Sequence, residues 1–407
     1  MKNTDPREPL SPREKRLLLI TCFGHFMSHF NMLVFPAVVI PLSNRLHLDM
    51  AQVLGLSFWM YLLFGLMALP WGIIGDRVGA KSLMMLFFAG AGLSGLAAGY
   101  LLDSPPAFSA TLAALGLFSA IYHPIGLGLI AKEMERVSIG MGYNGMFGNL
   151  GLAIAPLLAG LVTWIWGPRA AYLMVGIMNL AGIAMLARFP LSRSAPRQED
   201  PDGTDNGLLG PFVILLAAMM LGGFVYRGGT VVLPAYFELK NQGIYTALAG
   251  VFGAGLSGNL VATTITSMIF LVGMLGQYTG GRAAERFDAR RVYLIFHCVT
   301  IPAALLMSVV MDLPLVLSAT VYFFFLLGMQ PAENTLVAAL TPRRFHHSAF
   351  GMKFVLTFGV GSLAVKAVGS IEKGWGIESV YPALGLVSVV LVATIFLLIR
   401  KTGDLKT

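Results

Sequence analysis

Charge is what this sequence has least of. Only 12% of its 407 residues are Asp, Glu, Lys or Arg, about half the share found in a soluble globular chain. With 56% hydrophobic residues beside that deficit, most of the chain is not solvated by water, and a pair of large soluble domains is excluded. Cysteine is scarce as well. Cys22 and Cys298 are the only two; both sit in apolar runs, lack metal-ligand spacing and are too few for a disulfide framework. No Gly-x-x-x-x-Gly-Lys-Ser/Thr loop is present, which excludes ATP-driven work within this chain. The formal charge is +8, yet the basic residues gather on no soluble domain, so a nucleic-acid partner is not expected. The opening MKNTDPREPLSPREKR is polar and has no cleavable-signal pattern, so the first apolar run is expected to stay in the membrane.

What the sequence does have is long apolar runs. A helix needs about 20 apolar residues to cross the hydrocarbon of a bilayer. Twelve such runs lie near 17–42, 51–75, 82–102, 106–131, 139–165, 169–190, 209–237, 258–280, 290–312, 314–340, 347–371 and 378–400. They are called helices 1 to 12 here. Residues 191–208, LSRSAPRQEDPDGTDNGL, are polar and rich in Pro, Gly and Asp, as a linker is. The expected organisation is an all-α membrane protein, with a six-helix bundle in 1–190, a cytoplasmic linker in 191–208 and a second six-helix bundle in 209–407. Residues 243–257 suggest a further short helix or lid before helix 8. Of the 28 Lys and Arg, three lie inside spans, and four (Arg45, Arg169, Lys240, Lys373) lie at the ends and loops of one side, leaving 21 on the other. By the positive-inside rule both termini and the linker are expected in the cytoplasm. The 47 Gly and 22 Met suit helices that pack closely in lipid.

The two halves echo each other. Gly72-Ile-Ile-Gly-Asp76-Arg77-Val-Gly79-Ala-Lys81 follows helix 2, and Gly281-Arg-Ala-Ala-Glu285-Arg286-Phe-Asp288-Ala-Arg290 follows helix 8, with Gly, acid and basic positions matched at a constant offset. Helix 1 carries His29 seven residues before Pro36, and helix 7 carries Arg227 seven before Pro234. Helix 4 has His123-Pro124 and helix 10 has Gln330-Pro331.

GIIGDRVGAK resembles the loop motif of the major facilitator superfamily, Gly-x-x-x-Asp-Arg-x-Gly-Arg/Lys-Lys, departing at Ala80. The resemblance implies a 6+6 fold with the substrate site near midplane between the halves. It further implies that Gly72, Asp76, Arg77 and Lys81, with Glu285, Arg286 and Arg290 in the second half, form a conformational gate that locks the outward-facing state. Helix 5 reads Gly148-Asn-Leu-Gly151-Leu-Ala-Ile-Ala155-Pro156-Leu-Leu-Ala159-Gly160, similar to the antiporter motif of that superfamily, with Ala at two of its Gly positions. Gly151, Pro156 and Gly160 equally suit plain close packing and a bend. Helix 1, GHFMSHFNMLVFPAVVIPL, with YHPIG in helix 4, resembles the fosmidomycin-resistance-like branch, although His29 stands where Asp is common there.

Ionisable groups at membrane depth cost several kcal/mol and are candidates for function. Here they are His25, His29, His123, Arg227, Glu333, Lys353 and Lys366. Helices 1, 4, 7 and 10, which line the cavity in the resembled family, carry five of them. Glu333 is the only acid well inside a span. Counting about 1.5 Å of rise per residue puts it at the depth of Lys353 on the next helix, so an ion pair is expected. A carboxyl so placed can load and release a proton, or serve as a static brace with Lys353. The cations outnumber this acid, which favours an anionic substrate bound by Arg227 through a bidentate contact. His29, His123, Tyr143, Asn144 and Lys353 are the other candidates for substrate contact; Asn149 of helix 5 is a further possible donor, and Lys366, near the end of its helix, can snorkel instead. His25 and His29 are one turn apart and share a face. With His123 they are of the type that binds Zn or Cu, but no carboxylate or thiol joins them in the first half. Hydrogen bonding and, for His25 as for Glu333, proton relay are expected, with no metal and no cofactor.

These readings converge on a secondary transporter: a monomer in a bacterial inner membrane, moving a small organic anion with protons, with export favoured. Anionic-nutrient uptake is the alternative direction. A membrane enzyme is the rival class, with His123 and Glu333 as acid and base, but no nucleophile accompanies them. A sensor on the same fold would differ only in carrying no flux.

Overall fold

The computed structural model describes residues 10–188, 209–253, 255–341 and 346–403, without the side chains of Asp76, Ser138, His346, His347 and Ser348. The expected linker 191–208 therefore lies outside the described residues. Among the described residues twelve helices are long and apolar enough to cross a membrane. They run Pro12–Ala37, Met50–Gly75, Ala80–Tyr100, Pro105–Glu133, Ile139–Trp166, Pro168–Arg188, Leu209–Lys240, Gly258–Arg286, Ala289–Val309, Asp312–Ala339, Ala349–Trp375 and Ile377–Lys401. The short helix anticipated before helix 8 is Gln242–Phe252.

Boundaries differ from the hydropathy reading where local chemistry overrides it. Helix 1 starts at Pro12, five residues before the apolar run. Ser11 caps it: its hydroxyl accepts from the Glu14 amide while Glu14 Oε2 accepts from the Ser11 amide at 2.9 Å. Proline at the first helical position suits this start, because its missing N–H would have had no partner there. Helix 1 also ends early, at Ala37, and a separate helix Val39–Leu46 follows. Pro41 has no N–H to give the Ala37 carbonyl and its ring crowds that carbonyl, so the helix restarts around it.

Two further breaks are related by the repeat. Helix 4 is split into Pro105–Ser119 and Tyr122–Glu133, and helix 10 into Asp312–Gly328 and Gln330–Ala339. Pro124 and Pro331 sit in the first turn of each second segment and cause the breaks. Helix 11 relaxes at the same depth into a π turn, Val355–Gly359, and a 3-10 turn, Val360–Ser362. Such turns are frequent at functional sites.

The packing repeats too. Helix 1 lies along helix 5 and helix 7 against helix 11; helix 2 lies on helix 4 as helix 8 does on helix 10; helix 3 lies on helix 6 as helix 9 does on helix 12. Helix 3 begins at Ala80 and helix 9 at Ala289, the matched ninth positions of the GIIGDRVGAK motif and of its echo. Gly79 turns this corner with φ +88°, a backbone region that favours glycine. A Cβ on Gly72 would meet Pro124 Cβ at 3.4 Å, and one on Gly281 would meet Pro331 Cβ at 3.7 Å. The matched glycines therefore keep matched helices close to matched prolines.

The halves are joined at midplane and at the face poor in Lys and Arg. On that face Lys373 Nζ lies 3.0 Å from Asp49 Oδ2, and Asn259 donates to the Ala37 carbonyl at 2.9 Å. Asp49 also caps helix 2; the Gln52 amide and the Lys373 ammonium hold its carboxyl below the usual range. Two more basic residues of this face, Arg45 and Arg169, share Asp103 at 2.7 and 2.6 Å. An exposed pair such as Asp49–Lys373 contributes only about 0–1 kcal/mol, so it cannot by itself hold the halves together. Backbone contact is the stronger constraint. A Cβ on Gly65 of helix 2 would stand 2.0 Å from the Gly359 amide nitrogen in the π turn of helix 11. Gly65→Val is therefore expected to prise these helices apart. The check is thiol cross-linking between Asp49→Cys and Lys373→Cys, whose yield should fall severalfold; an unchanged yield would show that the contact is dispensable.

Candidate functional site

The polar groups at midplane form two clusters, one in each half, with an aromatic wall between them. In the first half, helix 1 presents His25 and His29, ring centroids 5.0 Å apart, and the broken helix 4 presents His123, 5.2 and 5.4 Å from them. The break at Ala120–Ile121 precedes His123 in the second segment of helix 4. His25 Nδ1 lies 2.8 Å from the Asn144 carbonyl oxygen. That oxygen can only accept, so Nδ1 carries the proton and Nε2 keeps its lone pair. Asn144 is fully buried; its amide donates to the Tyr122 hydroxyl at 2.6 Å, and that hydroxyl donates to the Thr21 carbonyl at 2.6 Å. His123 is 5% exposed, and neither of its ring nitrogens has a hydrogen-bond partner among the described residues. Its ring stacks on Phe354 of helix 11 at 4.8 Å.

In the second half, Arg227 of helix 7 is 2% exposed. Its guanidinium lies 3.8 Å from the centroid of the Tyr61 ring on helix 2, a cation–π contact worth roughly 2 kcal/mol when desolvated. Tyr61 is held by donating to the Met32 carbonyl at 2.9 Å. Nε and Nη1 of Arg227 have no hydrogen-bond partner, and no carboxylate pairs with it among the described residues. A buried cation left this way is costly unless something answers it.

Glu333 is answered. Its Oε1 lies 2.6 Å from Lys353 Nζ, and its Oε2 accepts from the Tyr293 hydroxyl at 2.9 Å. Lys353 also donates to Asn334 Oδ1 at 2.5 Å. The sequence offered Lys353 as a substrate contact, but the structure commits its ammonium to Glu333 and Asn334. Tyr293 was not anticipated. It lies on helix 9, outside helices 1, 4, 7 and 10, from which most of the candidates were drawn, and nothing in its local sequence points to Glu333. His297, a turn further on, packs edge-on against Tyr293 at 4.9 Å and is fully buried with both nitrogens unpartnered among the described residues.

Other candidates fall elsewhere. Tyr143 lies with Ile139 and Met146 on an exposed stripe of helix 5, and is 50% exposed; it is not brought into either cluster. Asn149 reaches across the halves to Gln277, which in turn donates to Gln330 at 2.8 Å. Lys366 is exposed, with its ammonium 4.0 Å from the Phe58 ring centroid. On helix 5, a Cβ at Gly151 would stand 2.2 Å from the Phe26 carbonyl oxygen of helix 1, and one at Gly160 would stand 1.9 Å from Thr263 Oγ1 of helix 8. Ala155 and Ala159 are fully buried. The small residues thus let helix 5 pack tightly on both halves at once, while Pro156 sits inside an unbroken helix.

Of the gate residues, Arg77, Lys81, Glu285 and Arg286 are exposed at the basic face, and the Asp76 side chain lies outside the described residues. Glu285 stands 4.0 Å from Arg282. Arg290 binds Asp288 at 2.7 Å and Thr402 Oγ1 at 2.8 Å, and donates to the Thr402 carbonyl. These contacts tie the start of helix 9 to the end of helix 12 within one half.

Residues 21–266 match the sequence model of the Major Facilitator Superfamily. The enterobactin exporter EntS of Shigella boydii is 25% identical over 278 residues, covering 59% of this chain and 63% of that protein. The multidrug resistance protein MdtG of Yersinia enterocolitica is 28% identical over 195 residues, covering 46% and 47%. The matches thus span less than two thirds of these relatives. A bacterial homologue of the human lysosomal transporter Spinster, crystallised in an inward-facing, unoccupied conformation, superposes with a TM-score of 0.78 at 17% identity, covering 97% of this chain and 99% of that one.

Proposed function

This chain belongs to the major facilitator superfamily, and from that premise we propose that it is a proton-coupled exporter of a small organic anion in a bacterial inner membrane. That it is a multi-pass membrane transporter and not an enzyme follows from the family and the twelve spans. The observation that carries the finer reading is Arg227: a buried guanidinium at the junction of the halves, stacked on Tyr61, with two nitrogens free to donate. A carboxylate or phosphonate oxygen would complete it with charge-assisted hydrogen bonds. Glu333, neutralised by Lys353 in this state, is the group proposed to exchange a proton when the halves move. Export is favoured by the helix 5 motif and by the name of EntS, which is described as an exporter.

The test is transport in proteoliposomes with a panel of organic anions, with and without an imposed pH gradient. Anion flux that responds to the gradient supports the reading; flux of neutral or cationic solutes alone, or none responding to pH, overturns it. The loop motif supplies a further check. Asp76→Asn is expected to slow transport about two- to fivefold with expression intact, as losing one charge–helix interaction of roughly 0.3–1 kcal/mol would do. Wild-type flux in that variant would remove Asp76 from the gate.

A further inference from the structure

We propose that His25, His29 and His123 form a three-imidazole binding site for a divalent cation of the Zn2+ class, with an open fourth position for an anionic oxygen. The ligand atoms of the three rings lie within 4.8 Å of one another. Even an equilateral triangle of that side has its centre about 2.8 Å from each corner, so about 0.7 Å of movement per ring reaches the Zn–N bond length of 2.0–2.1 Å.

Three details make this more than a chance cluster of one buried histidine, His123, and two half-buried ones, His25 and His29. His25 is backed by the Asn144 carbonyl, the outer-shell arrangement that fixes which nitrogen faces a metal. His123 is buried with both nitrogens unpartnered among the described residues, although a buried polar group normally finds a partner. The rings of Phe64, Phe354 and Phe358 lie 5.8, 4.8 and 6.4 Å from His123 and wall that side of the site.

Among the described residues no carboxylate or thiolate joins the three imidazoles, so the cation would keep its full charge, and the buried Arg227 adds a second positive charge at the junction of the halves. Both are answered by one anion that binds the metal at its fourth position and Arg227 at the same time. The site would then take the metal together with an anionic chelator, deepening the assignment of an organic-anion substrate. The transport role rests on the proposed function, but the binding does not.

The test uses the full chain in detergent, purified without a polyhistidine tag and titrated with Co2+ and then Zn2+. One equivalent of Co2+ should give the intense visible bands of four-coordinate cobalt, displaced by Zn2+ and shifted by acetate at the open position. His123→Ala and His25→Ala should each weaken binding by about a hundredfold or more, at or beyond the upper end of what losing an outer-shell partner costs. His346→Ala/His347→Ala, at the adjacent pair that begins the helix His346–Phe354, should leave it unchanged. Each variant is first required to elute as the wild type does, with His123→Gln and His25→Gln as shape-preserving substitutes. Absence of four-coordinate bands, or binding lost in the His346→Ala/His347→Ala variant and retained in the cavity variants, overturns the site. Anion flux with no metal binding would leave the proposed function standing, whereas metal binding with no flux would remove that reading and keep the site.

Discussion

Arg227→Ala is expected to abolish measurable binding of the transported anion while leaving the fold intact. Removing one member of a desolvated charge pair costs about 2–5 kcal/mol, or roughly 30-fold to several-thousandfold in affinity. The fold should survive because the guanidinium makes cation–π contacts with Tyr61 and Tyr226 while its Nε and Nη1 have no hydrogen-bond partner among the described residues, so truncation removes a cost as well as those contacts. Arg227→Lys separates charge from shape. It keeps the cation but loses the planar fork, so an affinity between those of wild type and Arg227→Ala is expected. Equilibrium binding of a radiolabelled anion to purified protein makes the measurement. If Arg227→Ala binds as wild type does, the anion reading fails and the guanidinium is a packing element on Tyr61.

Glu333→Gln is expected to keep exchange of substrate across the membrane but lose accumulation driven by a pH gradient. A one-unit gradient supplies about 1.4 kcal/mol per proton, enough for about tenfold accumulation at one proton per substrate. Wild type should approach that ratio, and Glu333→Gln should only equilibrate. The rival idea is a static Glu333–Lys353 brace. Taking away one partner of a buried pair costs about 3–5 kcal/mol, whereas replacing both by uncharged residues of similar size is often neutral. Glu333→Gln/Lys353→Met therefore tells the two apart. A brace predicts that the double variant regains gradient-driven accumulation; a proton carrier predicts that it folds well and stays uncoupled. If Glu333→Gln still concentrates substrate, the carboxyl is structural, and the three histidines become the groups to test.

The twelve spans, the 6+6 repeat and the family were determined by the sequence itself. The physics behind them is local: a helix in lipid must satisfy its own backbone and show about 20 apolar residues, and a matched loop such as Gly72–Lys81 against Gly281–Arg290 repeats at fixed spacing. The Glu333–Lys353 pair was legible for a related reason, since depth in a bilayer is a count of residues from a helix end. Local chemistry also marked the start of helix 1, in Ser-Pro-Arg-Glu, though a hydropathy window passes over it. What depth cannot give is azimuth and partner. Only the tertiary structure turns Tyr143 outward, sets Tyr61 beneath Arg227, brings Tyr293 to Glu333 and ties Arg290 to Thr402. Each depends on how two helices far apart in sequence are rotated against one another. The three histidines show the division plainly. Their shared depth could be counted along two helices, but their convergence within 4.8 Å required the break before Pro124 and the close fit of helix 5 against helix 1 at Gly148 and Gly151.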